Sequence, residues 1–395
     1  MNKRALSSKE RMLMTIKHEE TDYTPCCFML FFTLQSRCGG DWRKFADAQI
    51  ALGLDTAVNL PGVPVNIHPD VAITEWKTPP LPGSSNIYPV LHKKYETPAG
   101  DIIAEVKQTE DWEGGDHIGL VSDYNVPRSI KYHVGGRADL KGFRYLLAPP
   151  TADQIRVFRE ACAERRTFAQ DRGLLLQTGI EAGSVMDMAI QIAGVEPLVF
   201  AAIEDPDYLE EFLSVIWNMN MLKMEIMLDE KPDLFVRRGW YENMSFWSPD
   251  MYRRFMKPHL AKETRWAHGA GVKFAYINTC MYTQILEDII EAGVDVLIGV
   301  DPVEDKKLDM RALKARSAGR LCLWGGGNGF VTVENGSPEQ IREEVNAALD
   351  ILAPGGGFIL SPIDNVRELS DRAYGNAVLF IDAWKARRAP GLNPA

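Results

Sequence analysis

The stretch Gly271–Pro302, GVKFAYINTCMYTQILEDIIEAGVDVLIGVDP, decides the fold. Lys273–Asn278 is a short β-prone run, Met281–Glu291 has the apolar spacing of an amphipathic helix, and Val294–Val300 is a second apolar strand that stops at Asp301. Together they read as one βαβ crossover. Its first strand ends at Asn278-Thr279-Cys280, and the C-terminal end of a parallel strand is where α/β barrels carry their chemistry.

Working outward, further apolar runs without strict alternation, as expected of strands buried on both faces, appear at Pro25–Leu30, Asp55–Leu60, Leu174–Thr178, Leu234–Arg238, Leu321–Trp324 and Gly357–Leu360. With the two strands of the crossover they make eight. Helical patterns fall between the later ones, at Pro197–Ala202, Pro206–Leu228, Pro249–His268, Met310–Ala318, Pro338–Leu352 and Leu369–Lys385. Ser248 before Pro249 and Ser337 before Pro338 are good helix starts, because proline at the first helical position loses no hydrogen bond. Strands alternating with helices in this way predict an α/β fold, a (β/α)8 TIM barrel. Ahead of it, Ser7-Ser8-Lys9-Glu10 forms a capping box for an N-terminal helix that ends near His18.

One region breaks the alternation. Between residues 67 and 149, Tyr95-Glu96-Thr97-Pro98-Ala99-Gly100-Asp101 separates two β-like runs, a hairpin signal. The segment is expected to be a β-rich insertion after the second strand, within one domain spanning 1–395. It is either a lid or partner-docking wall on the active-site side, or an edge decoration that only adds stability.

Composition narrows the function classes. A net charge of −10 and a pI near 5.3 argue against a nucleic-acid surface or an anionic membrane as partner. The most apolar short run, Cys26–Phe32, is far below the roughly 20 residues of a membrane span. The charged start Met1–Lys9 has no signal-peptide core, so a cytoplasmic protein is expected. The six cysteines, at 26, 27, 38, 162, 280 and 322, include no C-x-x-C pair and read as reduced thiols.

The order of several short motifs resembles the uroporphyrinogen decarboxylase superfamily. They are Ser8-Lys9-Glu10-Arg11-Met12 through His18–Pro25, Ser248-Pro249-Asp250-Met251-Tyr252, Gly293-Val294-Asp295, Leu323-Trp324-Gly325-Gly326-Gly327-Asn328 and Ala353-Pro354-Gly355-Gly356-Gly357. The resemblance covers nearly the whole chain. It implies a (β/α)8 barrel, often a homodimer, with one of two chemistries: porphyrinogen decarboxylation, or methyl transfer to or from a corrinoid protein. The decarboxylases hold an octacarboxylate with an arginine-rich segment after the first strand, whereas here Phe28-Met29-Leu30-Phe31-Phe32-Thr33-Leu34-Gln35-Ser36-Arg37 has a single arginine. Phe28, Phe31 and Phe32 instead suit the pocket of an aromatic or aliphatic substrate.

The methyltransferase branch is therefore favoured, with a departure. Its zinc-binding members carry a His-x-Cys after the fifth strand and a Cys in a Pro-Gly-Cys-Gly turn near the eighth, and the matching positions here read Ile277, Thr279 and Gly356. The aromatic O-demethylase members have an acidic residue and two cysteines about forty apart. Cys280 and Cys322 resemble that spacing, with Glu242 as the acidic partner of a zinc ion, if one is bound. The implied function is demethylation of a methoxylated aromatic, with the methyl group passed to the corrinoid of a partner protein. No Asp-x-His-x-x-Gly cobalamin signature occurs in this chain. Another lyase or methyl-transfer chemistry on the same barrel, or a non-catalytic binding paralogue, is the alternative.

Candidate site residues sit at strand ends. Glu181 follows the third strand and Glu242 the fourth, each either catalytic or merely salt-bridged to Arg237 or Arg238. Tyr276 and Asn278 alternate on the fifth strand and so share a face. Tyr241, Tyr276 or Glu242 is placed to assist a departing phenolate as an acid. Trp240, Asp301, Asn328 and Asp364 are candidate substrate contacts, with hydrogen bonding to neighbouring loops as the plainer role for Asp301 and Asp364. Cys280 is either a metal ligand or a loop thiol, and Cys322, early in its strand, reads more simply as a core thiol.

Overall fold

The computed structural model describes residues 5–80, 83, 85–180, 183–363 and 366–388. Its strands are β1 (Ala57–Asn59), β2 (Ala72–Thr78), β3 (Val90–Thr97), β4 (Gly100–Lys107), β5 (Ser129–Lys131), β6 (Leu175–Thr178), β7 (Leu234–Arg238), β8 (Lys273–Ile277), β9 (Val296–Val300), β10 (Cys322–Asn328) and β11 (Phe358–Ile363). β1 and β6 to β11 pair in parallel, in chain order, as a seven-stranded sheet. Helices such as Pro206–Asp229, Lys257–Gly269 and Pro338–Leu352 follow the strands, so the chain is an α/β, TIM-barrel-like fold.

The eighth position is filled differently from expectation. Pro25–Leu30 contributes a single parallel bridge, Cys26 to Leu360, rather than a strand. The Cys27 N–H donates to the Leu360 carbonyl at 3.0 Å, the Leu360 N–H to the Pro25 carbonyl at 2.8 Å, and the Asp55 N–H to the Cys26 carbonyl at 2.9 Å. This segment thus lies between β11 and β1 and closes the ring. Pro25 has no N–H to give, and the Cys26 N–H is taken by the Asp55 carboxylate at 3.2 Å, so side-chain bonds replace the ladder.

Two cores follow from the alternation of side chains. Met29, Val236, Ala275, Ile277, Ile298 and Trp324 fill the barrel, which Met12 and Ile16 of the helix Ser8–Ile16 plug from below. The larger core lies between strands and helices, and Phe28, Phe235, Phe274 and Tyr276 belong to it. The capping box that starts the plug is formed: the Ser7 N–H donates to Glu10 Oε2 at 2.9 Å and the Glu10 N–H to Ser7 Oγ at 3.3 Å. Pro249–His268 is interrupted at Met256, because Pro258 lacks an N–H and its ring crowds the preceding turn. The helices Trp42–Ala51, Ala152–Arg172 and Val185–Ala193 were not anticipated from the pattern.

Within residues 67–149, β2 to β5 form an antiparallel sheet in chain order, with Thr97 paired to Gly100 around the Pro98-Ala99 turn. Tyr95 and Ile102 of this sheet are buried in the large core. Among the described residues no single helix is long and apolar enough to cross a membrane.

Strand ends come very close where β8, β9 and β10 meet. Gly299 has φ +140°, and a Cβ there would stand 2.1 Å from the Asn278 carbonyl oxygen. Gly299→Ala should therefore cost about 3 kcal/mol, from backbone strain plus displaced main chain. Urea denaturation measures it, and a loss below about 1 kcal/mol would show that the strand ends can part freely.

Candidate active site

A cavity of about 770 Å³ opens at the C-terminal ends of the strands. Met29, Leu30, Ile180, Trp240 and Trp324 provide its apolar wall toward the barrel axis, and Asn59, Gln177 and Arg238 its polar part. The Trp324 Nε1–H is fixed on the Cys27 carbonyl at 2.8 Å, which holds the indole across the floor. The Gln177 Nε2–H donates to Asn59 Oδ1 at 2.7 Å, while Gln177 Oε1 is buried without a hydrogen-bond partner among the described residues. An outer lobe runs between Phe28, Phe31, the helix Trp42–Ala51 and Arg165.

Alternation along β7 explains Arg238. Leu234 and Val236 point into the barrel, so Arg238, two residues on, borders the cavity, while Arg237 turns outward. The Arg238 Nε–H donates to Asp187 Oδ2 at 2.8 Å, and the Tyr241 N–H donates to Asp187 Oδ1 at 3.1 Å. Asp187 belongs to the helix Val185–Ala193, whose cap, Ser184, is anchored to β7 by its N–H on the Arg238 carbonyl at 2.7 Å. Burial raises the Asp187 carboxyl to about 7, against the opposing pull of Arg238. A folded-state value above the unfolded one means that the folded chain holds the extra proton between about pH 4 and 7. Stability from this group is then full below the unfolded value and falls as pH rises through that window. Asp187→Asn is expected to flatten that slope in denaturation curves from pH 4 to 8. An unchanged slope would place the ionised form in the folded protein throughout.

Behind β7 and β8 lies a second polar cluster that does not border the cavity. The Tyr276 hydroxyl donates to Glu242 Oε2 at 2.6 Å and the Asn278 Nδ2–H to the Glu242 carbonyl at 3.2 Å, all three residues being buried. Tyr276 and Asn278 do share a face, but it is the helix side of the barrel. Burial raises both the Glu242 carboxyl and the Tyr276 phenol. Arg237, lowered to about 10 by burial, donates from Nε to Glu263 at 2.6 Å and from Nη1 to the Gly183 carbonyl at 2.6 Å. Tyr241 is half-buried beside Phe246, and burial raises its phenol.

Trp240 is on the cavity wall. Phe28 and Phe31 border its outer lobe, packed on each other at 4.6 Å, and Phe28 also meets Phe380. Phe32 is 45% exposed at the start of a helix and does not border the cavity. Alternation sends Phe28 outward and Met29 inward, so the axial face of this segment is aliphatic. Asp301 and Asn328 are buried against each other, Asn328 Nδ2–H donating to Asp301 Oδ2 at 2.7 Å. Asp301 Oδ1 caps the Val303 and Glu304 N–H groups, which satisfies the loop. Glu181 and Asp364 lie outside the described residues.

The metal assignment needs correction. Cys322 opens β10 inside the barrel, opposite Val296 at the start of β9, whereas Cys280 follows the far end of β8. The two thiols are therefore at opposite ends of the barrel and do not share an ion with Glu242. Burial raises both. Gly356 likewise precedes β11, at the end opposite Ile277 and Thr279. Among the described residues no three His, Cys, Asp or Glu side chains converge to hold a metal. Zinc does not fit the described donor set.

Asn59, Gln177, Arg238 and Trp324 are cavity groups that the sequence pattern alone does not single out. For Arg238 the signal was present, since it continues the inward series Leu234 and Val236.

A solved methyltransferase from Methanosarcina mazei is 19% identical, with a TM-score of 0.61 over 97% of this chain and 100% of that one. A B12-independent methionine synthase from Shewanella sp. W3-18-1 is 10% identical, with a TM-score of 0.43 over 58% and 65%. D-psicose 3-epimerase from Clostridium cellulolyticum H10 is 11% identical, with a TM-score of 0.34 over 57% and 80%. No curated protein matches the chain. The family model for uroporphyrinogen decarboxylase matches residues 155–373, from the helix before β6 to the start of the last helix. The chain belongs to the uroporphyrinogen decarboxylase family.

Proposed function

We propose that this protein is a cytoplasmic methyltransferase that takes the methyl group of a methoxylated aromatic, a phenyl methyl ether bound in the barrel cavity, and passes it to the corrinoid of a partner protein at the mouth. The observation that carries the reading is the axial wall of Met29, Leu30, Ile180, Trp240 and Trp324, which offers apolar and aromatic surface to a flat ring. An octacarboxylate would call for a cationic wall. Among the described residues the cavity lining holds two arginines, Arg165 and Arg238, and no lysine, which is too little positive charge for eight carboxylates. Porphyrinogen decarboxylation is accordingly disfavoured. Likeness over full length to a protein described as a methyltransferase supports the methyl-transfer half of the reading.

A corrinoid on the partner would supply the nucleophile for the methyl carbon. The chain's own part is to hold the ether and to stabilise the departing oxygen, which keeps the electron pair of the broken C–O bond. Trp240 and Trp324 confine the ring, and the plug helix Ser8–Ile16 shuts the lower end of the barrel to water. No step is assigned to zinc. The test is a panel of methoxyphenols, each with reduced corrinoid protein, run beside uroporphyrinogen. Release of a demethylated phenol from at least one ether, with uroporphyrinogen untouched, is the expected result. Decarboxylation of the porphyrinogen, or no release from any ether, would refute the proposal.

A further inference from the structure

We propose that Arg238 is the catalytic residue that stabilises the phenolate oxygen as it leaves, with Asp187 as the residue that positions it; this deepens the aromatic-ether reading and rests on it. The guanidinium carries five N–H donors, and one of them, on Nε, is committed to Asp187. Neither Nη makes a hydrogen bond among the described residues. Among the described residues the closest opposite charge to Nη1 is Asp123 of the insertion, whose Oδ2 is 3.9 Å away, too long for a hydrogen bond. Asp123 is itself held by the Gln191 Nε2–H at 2.7 Å. Arg238 Cζ lies 5.1 Å from the Trp240 ring centroid, so the donors run beside one of the two indoles that confine the substrate.

This arrangement suits a charge that appears only during the reaction. Asp187 on Nε and Asp123 near Nη1 offset the Arg238 charge before the bond breaks. Once the methyl group leaves, the oxygen becomes an anion next to donors that are already oriented and that, among the described residues, have no hydrogen bond to give up. Glu242 and Tyr276 cannot take this part, because they face the helices and are spent on each other.

The test needs no corrinoid. 4-Nitrophenol, a product analogue, changes its visible absorbance on ionisation, so its acidity can be read while it is bound to the whole protein. Wild type should lower the bound phenol's pKa by about one unit or more, as a cation at short range does. Arg238→Gln should still bind the phenol but leave its pKa within about 0.3 of the free value, and Asp187→Asn should give an intermediate shift that narrows in guanidinium-containing buffer. Binding without any shift in wild type, or the same shift in Arg238→Gln, would overturn the role of Arg238 while sparing the aromatic-ether site. Failure of wild type to bind the phenol would overturn both.

Discussion

Replacing Arg11 with methionine should destabilise the barrel by about 3–5 kcal/mol, the scale for stripping one partner from a buried ion pair. Arg11 is 4% exposed and Asp55 1%. Its Nη1 donates to Asp55 Oδ1 at 2.5 Å, its Nε to Asp22 Oδ1 at 2.6 Å, and its Nη2 to Asp22 Oδ2 at 2.9 Å and to the Leu6 carbonyl at 2.6 Å. Asp55 also holds the Cys26 N–H, so the pair ties the plug helix to the segment that closes the ring. Alone in the interior, the Asp55 carboxylate would have to ionise without a partner, and burial already raises its pKa. Adding Asp55→Asn to Arg11→Met should recover part of the loss, because the orphaned charge goes with it. Urea denaturation of the three proteins decides; equal stability of Arg11→Met and wild type would mean that the pair does not lock the ring.

The second large effect is expected at Arg237→Met, again about 3–5 kcal/mol. Arg237 and Glu263 are 3% and 1% exposed, and the guanidinium also satisfies the Gly183 carbonyl between β6 and the next helix. Its loss leaves the Glu263 carboxylate buried without its cation, while the Gly183 carbonyl keeps the Asn220 Nδ2–H at 3.2 Å. The indole and ring positions of the cavity should be barely disturbed at low temperature, so ligand binding per folded molecule should stay within about threefold, under 1 kcal/mol. Loss of binding in a protein that remains folded would instead give Arg237 a direct part in the site.

These two pairs show what a linear reading of the chain can reach. The crossover at 271–302 and the apolar runs around it were legible, because strands buried on both faces leave continuous hydrophobic stretches and helices leave a 3.6-residue period. The hairpin at Thr97–Gly100 was legible from turn chemistry. What the pattern does not carry is which side of a strand end faces the axis. Tyr276 and Asn278 were correctly placed on one face, yet that face is the outer one, so Glu242 is met there by a phenol rather than by a substrate. Of the first-strand aromatics, Phe28 and Phe31 border the outer lobe of the cavity, Phe28 packing on Phe380, while Met29 takes the axis. A shift of one residue in a period of two reverses the assignment.

The metal ligands illustrate a different limit. Cys280 and Cys322 have a suggestive spacing in sequence, but spacing between separate strands says nothing about the end of the barrel at which each residue emerges. Cys322 begins its strand and Cys280 follows one, which places them apart. Arg238 shows the opposite limit: a charged residue at a strand end reads as a salt-bridge partner, and only the structure shows that it borders the cavity with Nη groups that make no hydrogen bond among the described residues.

The central claim, that the cavity delivers an ether methyl group to a corrinoid, is tested most directly by following the carbon itself. A phenyl ether labelled with carbon-13 in its methoxyl group is incubated with the protein and a reduced corrinoid protein, and the label is traced by NMR. The account predicts that the label leaves the aromatic ring and appears on the corrinoid in step with release of the phenol, and that it does neither when this protein is omitted. Label that stays on the ring with every ether offered, or that is released without reaching the corrinoid, would contradict it.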